Sequence, residues 1–104
     1  MEIDTVGYID DSNDYVTLTE SHLSILDSEL ASDRWVVGLF ESTDGSGNDH
    51  AIVIKSYNSS TNQYTCWDPW NDGEFIASRS ELLYGEVDMP WKDDNKFLGF
   101  IYCR

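Results

Sequence analysis

A histidine and an aspartate, His50 and Asp68, stand at the two ends of a segment whose pattern predicts a β-hairpin. Two apolar stretches in this segment are separated by a cluster of turn-forming residues at positions 58–62. If the turn is centred near position 60, His50 lies opposite residue 69 or 70, and the carboxylate of Asp68 can reach the imidazole. Such a pair is the base and its orienting partner in a nucleophilic catalytic site, whereas a satisfied structural histidine beside an Asp-Pro turn is the alternative.

A nucleophile for this pair is not evident in the sequence. Cys66 shares a strand face with Asp68, but two residues along a strand is about 6.6 Å, and the displacement leads away from His50. The position of Cys103 depends on the strand order, and no GxSxG-type motif places a serine. Without CxxC spacing, the two cysteines are expected to be reduced thiols of a cytoplasmic protein.

The elements that position the pair predict an α+β fold, a mainly antiparallel β-sheet with one N-terminal helix and one short helix. At 104 residues, the chain is expected to be one domain, residues 1–104, without a membrane-spanning run or signal peptide. In order, the patterns predict a hairpin of residues 6–9 and 15–18, a helix at 20–31, strands at 35–40, 51–54 and 63–67, a short strand at 75–76, a helical turn at 82–84 and a last strand at 97–103.

Local signals mark where the two helices begin. Thr17 and Glu20 have the spacing of a capping box, and Ser78 and Glu81 repeat that spacing before the second helix, which Gly85 ends. Leucines at positions 23, 26 and 30 give the first helix one apolar stripe, with His22 expected at the surface. Trp35 and Trp67 lie in apolar strands and are predicted to be core residues.

The charge is strongly acidic and unevenly distributed. Twenty acidic residues against six basic ones give a net charge of −14, and no Lys or Arg precedes Arg34. This surface disfavours nucleic acid and anionic membranes, and it favours a protein partner with a basic surface, although solvation of an acidic face is the simpler interpretation. The candidate binding residues are Asp10, Asp11, Asp14, Asp49, Trp70 and Trp91.

No cofactor or metal is expected. Two oxygen-rich loops, at positions 44–49 and 68–74, do not follow the ligand positions of an EF-hand.

Residues 35–104 resemble the C-terminal half of papain-like cysteine peptidases, particularly the bacterial C39-like group. The resemblance lies in a buried strand before a Gly-rich loop, in His50 followed by apolar strand residues, in the Asp68-Pro-Trp context, and in a Ser/Glu-Leu-Leu turn before an aromatic strand. It implies half of a papain-like fold, with His50 as general base and Asp68 as its orienting partner. The family's nucleophilic cysteine precedes the histidine on a helix N-terminus, whereas no cysteine here precedes Cys66, and Asp49 stands where the family usually has glycine.

Three functions remain open from the sequence. The first is a non-catalytic relative of the peptidase fold that binds a protein. The second is an acidic inhibitor of a basic partner, of the nucleic-acid-mimicking type found among anti-defence and immunity proteins. The third is a fragment of an active cysteine peptidase that uses His50 and Asp68.

Overall fold

The structure, a computed structural model, describes residues 3–7, 18–43, 49–89 and 94–103; side chains are described for residues 18–43, 50–89 and 94–102. Its elements, in chain order, are β1 (Ile3–Gly7), α1 (Glu20–Ala31), β2 (Val36–Ser42), β3 (Asp49–Asn58), β4 (Gln63–Asp68), β5 (Gly73–Ser78), α2 (Arg79–Tyr84) and β6 (Asn95–Cys103).

The strands form one six-stranded sheet in the order β1-β6-β2-β3-β4-β5. All five neighbouring pairs are antiparallel. Strands β2 to β5 follow one another in the sequence and are also neighbours in the sheet, as is common for antiparallel strands. The predicted α+β class, mainly antiparallel sheet with one N-terminal and one short helix, is therefore confirmed.

The hydrophobic core lies between one face of the sheet and the two helices. Helix α1 contributes Leu23, Leu26 and Leu30, and α2 contributes Leu82. The sheet side of this core consists of alternate strand residues, chiefly Val36, Phe40, Ile52, Ile54, Tyr64, Cys66, Ala77, Phe97 and Phe100. Alternation therefore assigns one set of side chains to the core and the other set to the opposite face.

Gly38 occupies a core position of β2, and there is little room for a side chain at that position. A Cβ atom there would lie 3.1 Å from Ile54 Cδ1 and 3.2 Å from Phe40 Cε1. The glycine lets neighbouring large side chains pack directly over the β2 backbone.

Trp35 is not a core residue, which corrects the expectation from its apolar context. It precedes β2, and its side chain is 64% exposed. The core positions of β2 are Val36, Gly38 and Phe40. Because side chains alternate along a strand, Trp35 belongs to the opposite face. Trp67, which was also predicted to be a core residue, is half-buried and lies on the same opposite face by its alternation in β4.

The N-terminal strand pairs with β6, whereas most of the predicted local hairpin lies outside the described residues. Residues 3–7 pair with β6, with Ile3 opposite Cys103 and Gly7 opposite Gly99. Leu18, the last residue of the predicted second strand, is buried but is not in a strand, and positions 8–17 lie outside the described residues. The pairing with β6 is long-range, which a local turn pattern does not reveal.

Helix α1 has the predicted span, but its N-cap is Thr19 rather than Thr17. The backbone N–H of Thr19 donates to Nδ1 of His22 over 2.9 Å, so the half-buried histidine caps the helix start. Helix α2 begins as predicted: Glu81 N–H donates to Ser78 Oγ, and Ser78 N–H donates to Glu81 Oε1. Gly85 is its C-cap. Among the helices of the described ranges, none is long and apolar enough to cross a membrane.

Candidate functional site

The two ends of the β3–β4 hairpin bring His50 and Asp68 together. His50 Nε2 lies 2.8 Å from Asp68 Oδ1. In the ladder Val53 pairs with Trp67, and that register, continued by three residues along β3, brings His50 opposite Trp70. The juxtaposition expected from the sequence is therefore observed, and we call this pair the dyad.

A local turn and the strand ladder hold Asp68 in place. Its Oδ1 also accepts a hydrogen bond from the Trp70 backbone N–H at 2.9 Å, which is an Asx-turn across Pro69. Its Oδ2 accepts from Asn71 Nδ2 at 3.0 Å. With three donors converging on it, the fully buried carboxylate has a fixed orientation.

The hydrogen bonds determine the charge state of Asp68. Burial by itself favours the neutral acid, but the hydrogen bonds from Asn71, His50 and the Trp70 backbone, with the charge of His50, hold the pKa of Asp68 below its usual value. A carboxylate is therefore present at neutral pH. Among the described side chains, the groups that lower this pKa are those of Asn71 and His50, with no arginine or lysine.

The geometry assigns the proton on the imidazole. Because an ionised carboxylate only accepts hydrogen bonds, His50 Nε2 must carry hydrogen and donate to Asp68. The His50 side chain is only 8% exposed and lies on the same sheet face as Phe40, its partner in β2. This is the arrangement of a base held by an orienting acid.

Cys66 cannot act as the nucleophile of this dyad. Its side chain is fully buried, and its thiol lies 3.9 Å from the Tyr64 carbonyl oxygen, to which it donates. Burial raises the pKa of the Cys66 thiol to about 12, so the reactive thiolate is suppressed. The side chain of Cys103 lies outside the described set.

Trp70 lies beside the dyad and is open to solvent. Its backbone N–H binds Asp68, while its side chain is 82% exposed. A large exposed indole attached to a rigid turn has the character of a binding anchor. Of the residues predicted to bind a partner, Trp70 is the one that the structure places next to the dyad with its side chain accessible.

The other predicted binding residues are not placed as fully. Asp49 pairs with Glu41 at the start of β3, and its side chain is not described. Asp10, Asp11, Asp14 and Trp91 lie outside the described residues. Across the ranges 18–43, 50–89 and 94–102, no group of three or more His, Cys, Asp or Glu side chains could hold a metal ion.

A second polar cluster, which no local sequence pattern indicates, joins α1 to the sheet. Tyr64 Oη donates to Asp27 Oδ1 at 2.6 Å, and Arg79 Nη1 lies 2.7 Å from both Asp27 Oδ2 and the Tyr64 hydroxyl. Arg79 also donates to Glu20 Oε2 through Nε. Burial and the neighbouring Asp27 raise the pKa of Tyr64, so its hydroxyl remains a donor. We call these four residues the helix clamp.

Comparison with known proteins identified no relative of this chain. No protein-family model, no curated protein and no solved structure matches the chain. The fold and the dyad are therefore the observations from which a function is inferred.

Proposed function

We propose that this chain is a non-catalytic protein-binding module related to the sheet lobe of papain-like, C39-like cysteine peptidases. The observation that carries the proposal is the contrast between two side chains next to Asp68. The thiol of Cys66 is buried in the core with a pKa raised to about 12, whereas the indole of Trp70 is 82% exposed. The dyad then serves as a rigid support that fixes the turn bearing Trp70.

The contact surface in this proposal is the dyad end of the sheet. Asp68 orders residues 68–71 through hydrogen bonds to Trp70 and Asn71, so little conformational entropy is lost when a partner packs on the indole. The partner is a protein with a basic surface, since the net charge of −14 attracts cations and repels nucleic acid. We place the module in the cytoplasm, where unpaired thiols such as Cys66 persist.

A selection of displayed random peptides on the purified chain tests this function. We expect the enriched peptides to bind at least about tenfold more weakly to Trp70→Ala, because exposed tryptophans are frequent anchors of binding energy. Tyr84→Ala removes another aromatic ring, 81% exposed on α2, and is the matched control; it should leave the affinity unchanged. Peptides whose binding does not depend on Trp70 would contradict the proposed surface.

Catalysis is the second candidate, and the state of the dyad favours it. An ionised Asp68 bonded to His50 Nε2 is what a cysteine peptidase needs to keep its base in the correct tautomer. In this case the nucleophile is Cys103, whose side chain is outside the described set, or a cysteine of another chain. Selected peptides that are cleaved or covalently attached by the chain, but not by His50→Ala, would support this candidate against the binding module.

The net charge of −14 favours one kind of binding function, the inhibition of a basic protein. A surface of this sign attracts a cationic partner from a distance, and screening by salt weakens that attraction. Loss of binding as the salt concentration rises would favour the charge-driven form. Binding that is insensitive to salt but lost in Trp70→Ala would favour an aromatic contact.

A further inference from the structure

The sheet has a second face, opposite the core, that the described helices leave open. Helices α1 and α2 both pack on the core side, where their leucines join one cluster with alternate strand residues. Between those positions, the strands carry side chains that point the other way. We call this the outer face.

The outer face is apolar across its centre. Ile101, Val37, Val53, Trp67 and Glu74 are successive partners in the ladders from β6 to β5, so they form one row across five strands. Ile76, two residues beyond Glu74, extends the apolar area. Among the described side chains six large apolar ones are exposed, and three of them lie on this face: Trp35 at 64%, Val37 at 39% and Ile76 at 51%.

Polar contacts hold two tryptophans against this face. The Lys55 ammonium lies 5.8 Å from the centre of the Trp35 ring, and it also forms a 2.8 Å ion pair with Glu74. Trp67 Nε1 donates to Asp72 Oδ1 at 3.1 Å. The apolar area is thus preorganised, which lowers the entropic cost of covering it.

Charge indicates what would cover the outer face. Lys55 is already paired with Glu74, and Lys96 is in register with Glu41. Asp72, exposed at the end of the row, adds a further carboxylate, and the whole chain carries −14. A second copy would bring the same negative charge, so like-charge repulsion opposes self-association.

We propose that the outer face docks an amphipathic helix of a basic protein, with an apolar stripe flanked by Lys and Arg. The stripe packs on Val37, Val53 and Trp67, as the leucine stripe of α1 packs on the core side of the same sheet. The flanking cations meet Asp72 at the end of the row and the negative charge of the whole chain. This site goes beyond the proposed function, because it lies across the sheet from the dyad and does not involve Trp70.

A labelled synthetic peptide tests this proposal in solution. The probe is a helix of about five turns with leucines at i, i+3, i+4 and i+7 and lysines beside them; a scrambled peptide of the same composition is its control. Fluorescence anisotropy at low ionic strength should show the patterned peptide binding at least about tenfold more tightly than the scrambled one. Equal affinities would mean attraction by charge alone and would overturn the proposal, as would no binding.

Matched variants locate the site. Trp35→Ala should weaken binding of the patterned peptide by about tenfold or more, whereas Tyr84→Ala, which removes an exposed ring of α2, should leave it within about twofold. Ile76→Thr keeps a β-branched residue in β5 and should also weaken binding, so the test does not rest on one variant. Equal effects of Trp35→Ala and Tyr84→Ala would overturn the outer-face site.

Sedimentation of the chain alone tests whether a second copy of the chain, rather than a partner helix, covers the outer face. We expect a monomer in the wild type and in Trp35→Ala. A dimer that Trp35→Ala dissociates would assign the outer face to a second copy and would overturn the proposal. Failure of any of these tests leaves the Trp70-dependent peptide binding of the proposed function unaffected, so the two ideas fail separately.

Discussion

Asp68 is the side chain on which the geometry of the site depends. It is fully buried, and it accepts hydrogen bonds from a side chain of β3, from a backbone amide and from Asn71. Removing such an acceptor leaves buried donors without partners, which costs more than the net value of the hydrogen bonds themselves. Orientation of His50 and order in the turn bearing Trp70 therefore both depend on one carboxylate.

Asp68→Asn should destabilise the protein in a pH-dependent way. The variant keeps one acceptor oxygen but turns an amide group toward donors, so we expect a loss of about 1–3 kcal/mol at pH 6. Because the pKa of Asp68 is lowered in the folded state, the wild type holds this extra stability above the unfolded-state pKa of about 3.9. It loses the extra stability as the pH falls through the folded pKa, so the difference between the two proteins should shrink below about pH 4.

Urea unfolding at a series of pH values from about 6 to 3 measures this difference. Glu86→Gln, which neutralises an exposed carboxylate, is the control and should change the stability little at any pH. A difference between Asp68→Asn and the wild type that stays constant or grows on acidification would contradict the role assigned to the ionised carboxylate.

At the residue scale, the sequence predicted the part of the site that local chain geometry determines. His50 and Asp68 belong to one hairpin, so counting from its turn was sufficient to bring them together. Asn71 was missed, although an Asp-Pro-Trp-Asn run is typical of an Asx-turn. Trp35 was misplaced because an apolar neighbourhood does not say which side of the strand a residue occupies; its alternation with Val36 was the available signal.

At the element scale, the helix clamp is the polar connection between α1 and the rest of the fold. Arg79 is the first residue of α2, Tyr64 is in β4, and Asp27 and Glu20 are on α1, so one guanidinium joins three elements. Burial would lower the pKa of Arg79, but hydrogen bonds to Glu20 and Asp27 raise it above its ordinary value. The guanidinium is charged at every accessible pH, and the clamp persists across the neutral range.

Arg79→Met should destabilise the protein by about 1.5–3 kcal/mol, because it removes charged hydrogen bonds that are only partly open to water. Tyr64→Phe keeps the Arg79–Asp27 contact and should cost about 1 kcal/mol. Glu74→Gln breaks an exposed pair with Lys55 and, as a control, should cost under about 0.5 kcal/mol. Chemical denaturation gives these values, and hydrogen exchange should show the α1 amides most affected by Arg79→Met. An Arg79→Met loss no larger than that of Glu74→Gln would contradict the clamp.

Element boundaries were predictable where capping and turn signals are local. Ser78 and Glu81 form the expected capping box, and Gly85 ends α2. The N-cap of α1 was assigned to the wrong threonine, because His22, a residue outside the usual capping set, accepts from the Thr19 backbone. The sequence could not show that β1 pairs with β6, since nearly the whole chain separates the partners and no turn residue marks such a pairing.

At the scale of the whole molecule, the sheet separates two surfaces. The core side carries the helices and, at its edge, the dyad. The outer face carries an apolar row with Asp72 at one end. The net charge and the fold class could be predicted from the sequence. Net charge is a sum over residues, and the fold class follows from local patterns. The outer face could not be predicted before the strand order was known, because its row assembles residues from five strands.

Our main proposal is that the one thiol whose side chain is described, that of Cys66, is not placed to use the dyad, and that the isolated chain therefore binds rather than cuts. The most direct test is exposure of the native protein to a peptide electrophile of the kind that modifies cysteine peptidases, followed by intact-mass measurement. We expect no His50-dependent adduct on the native protein, and reaction at Cys66 only after unfolding, when the thiol is exposed. A stoichiometric adduct on the native wild type that His50→Ala abolishes would contradict the claim.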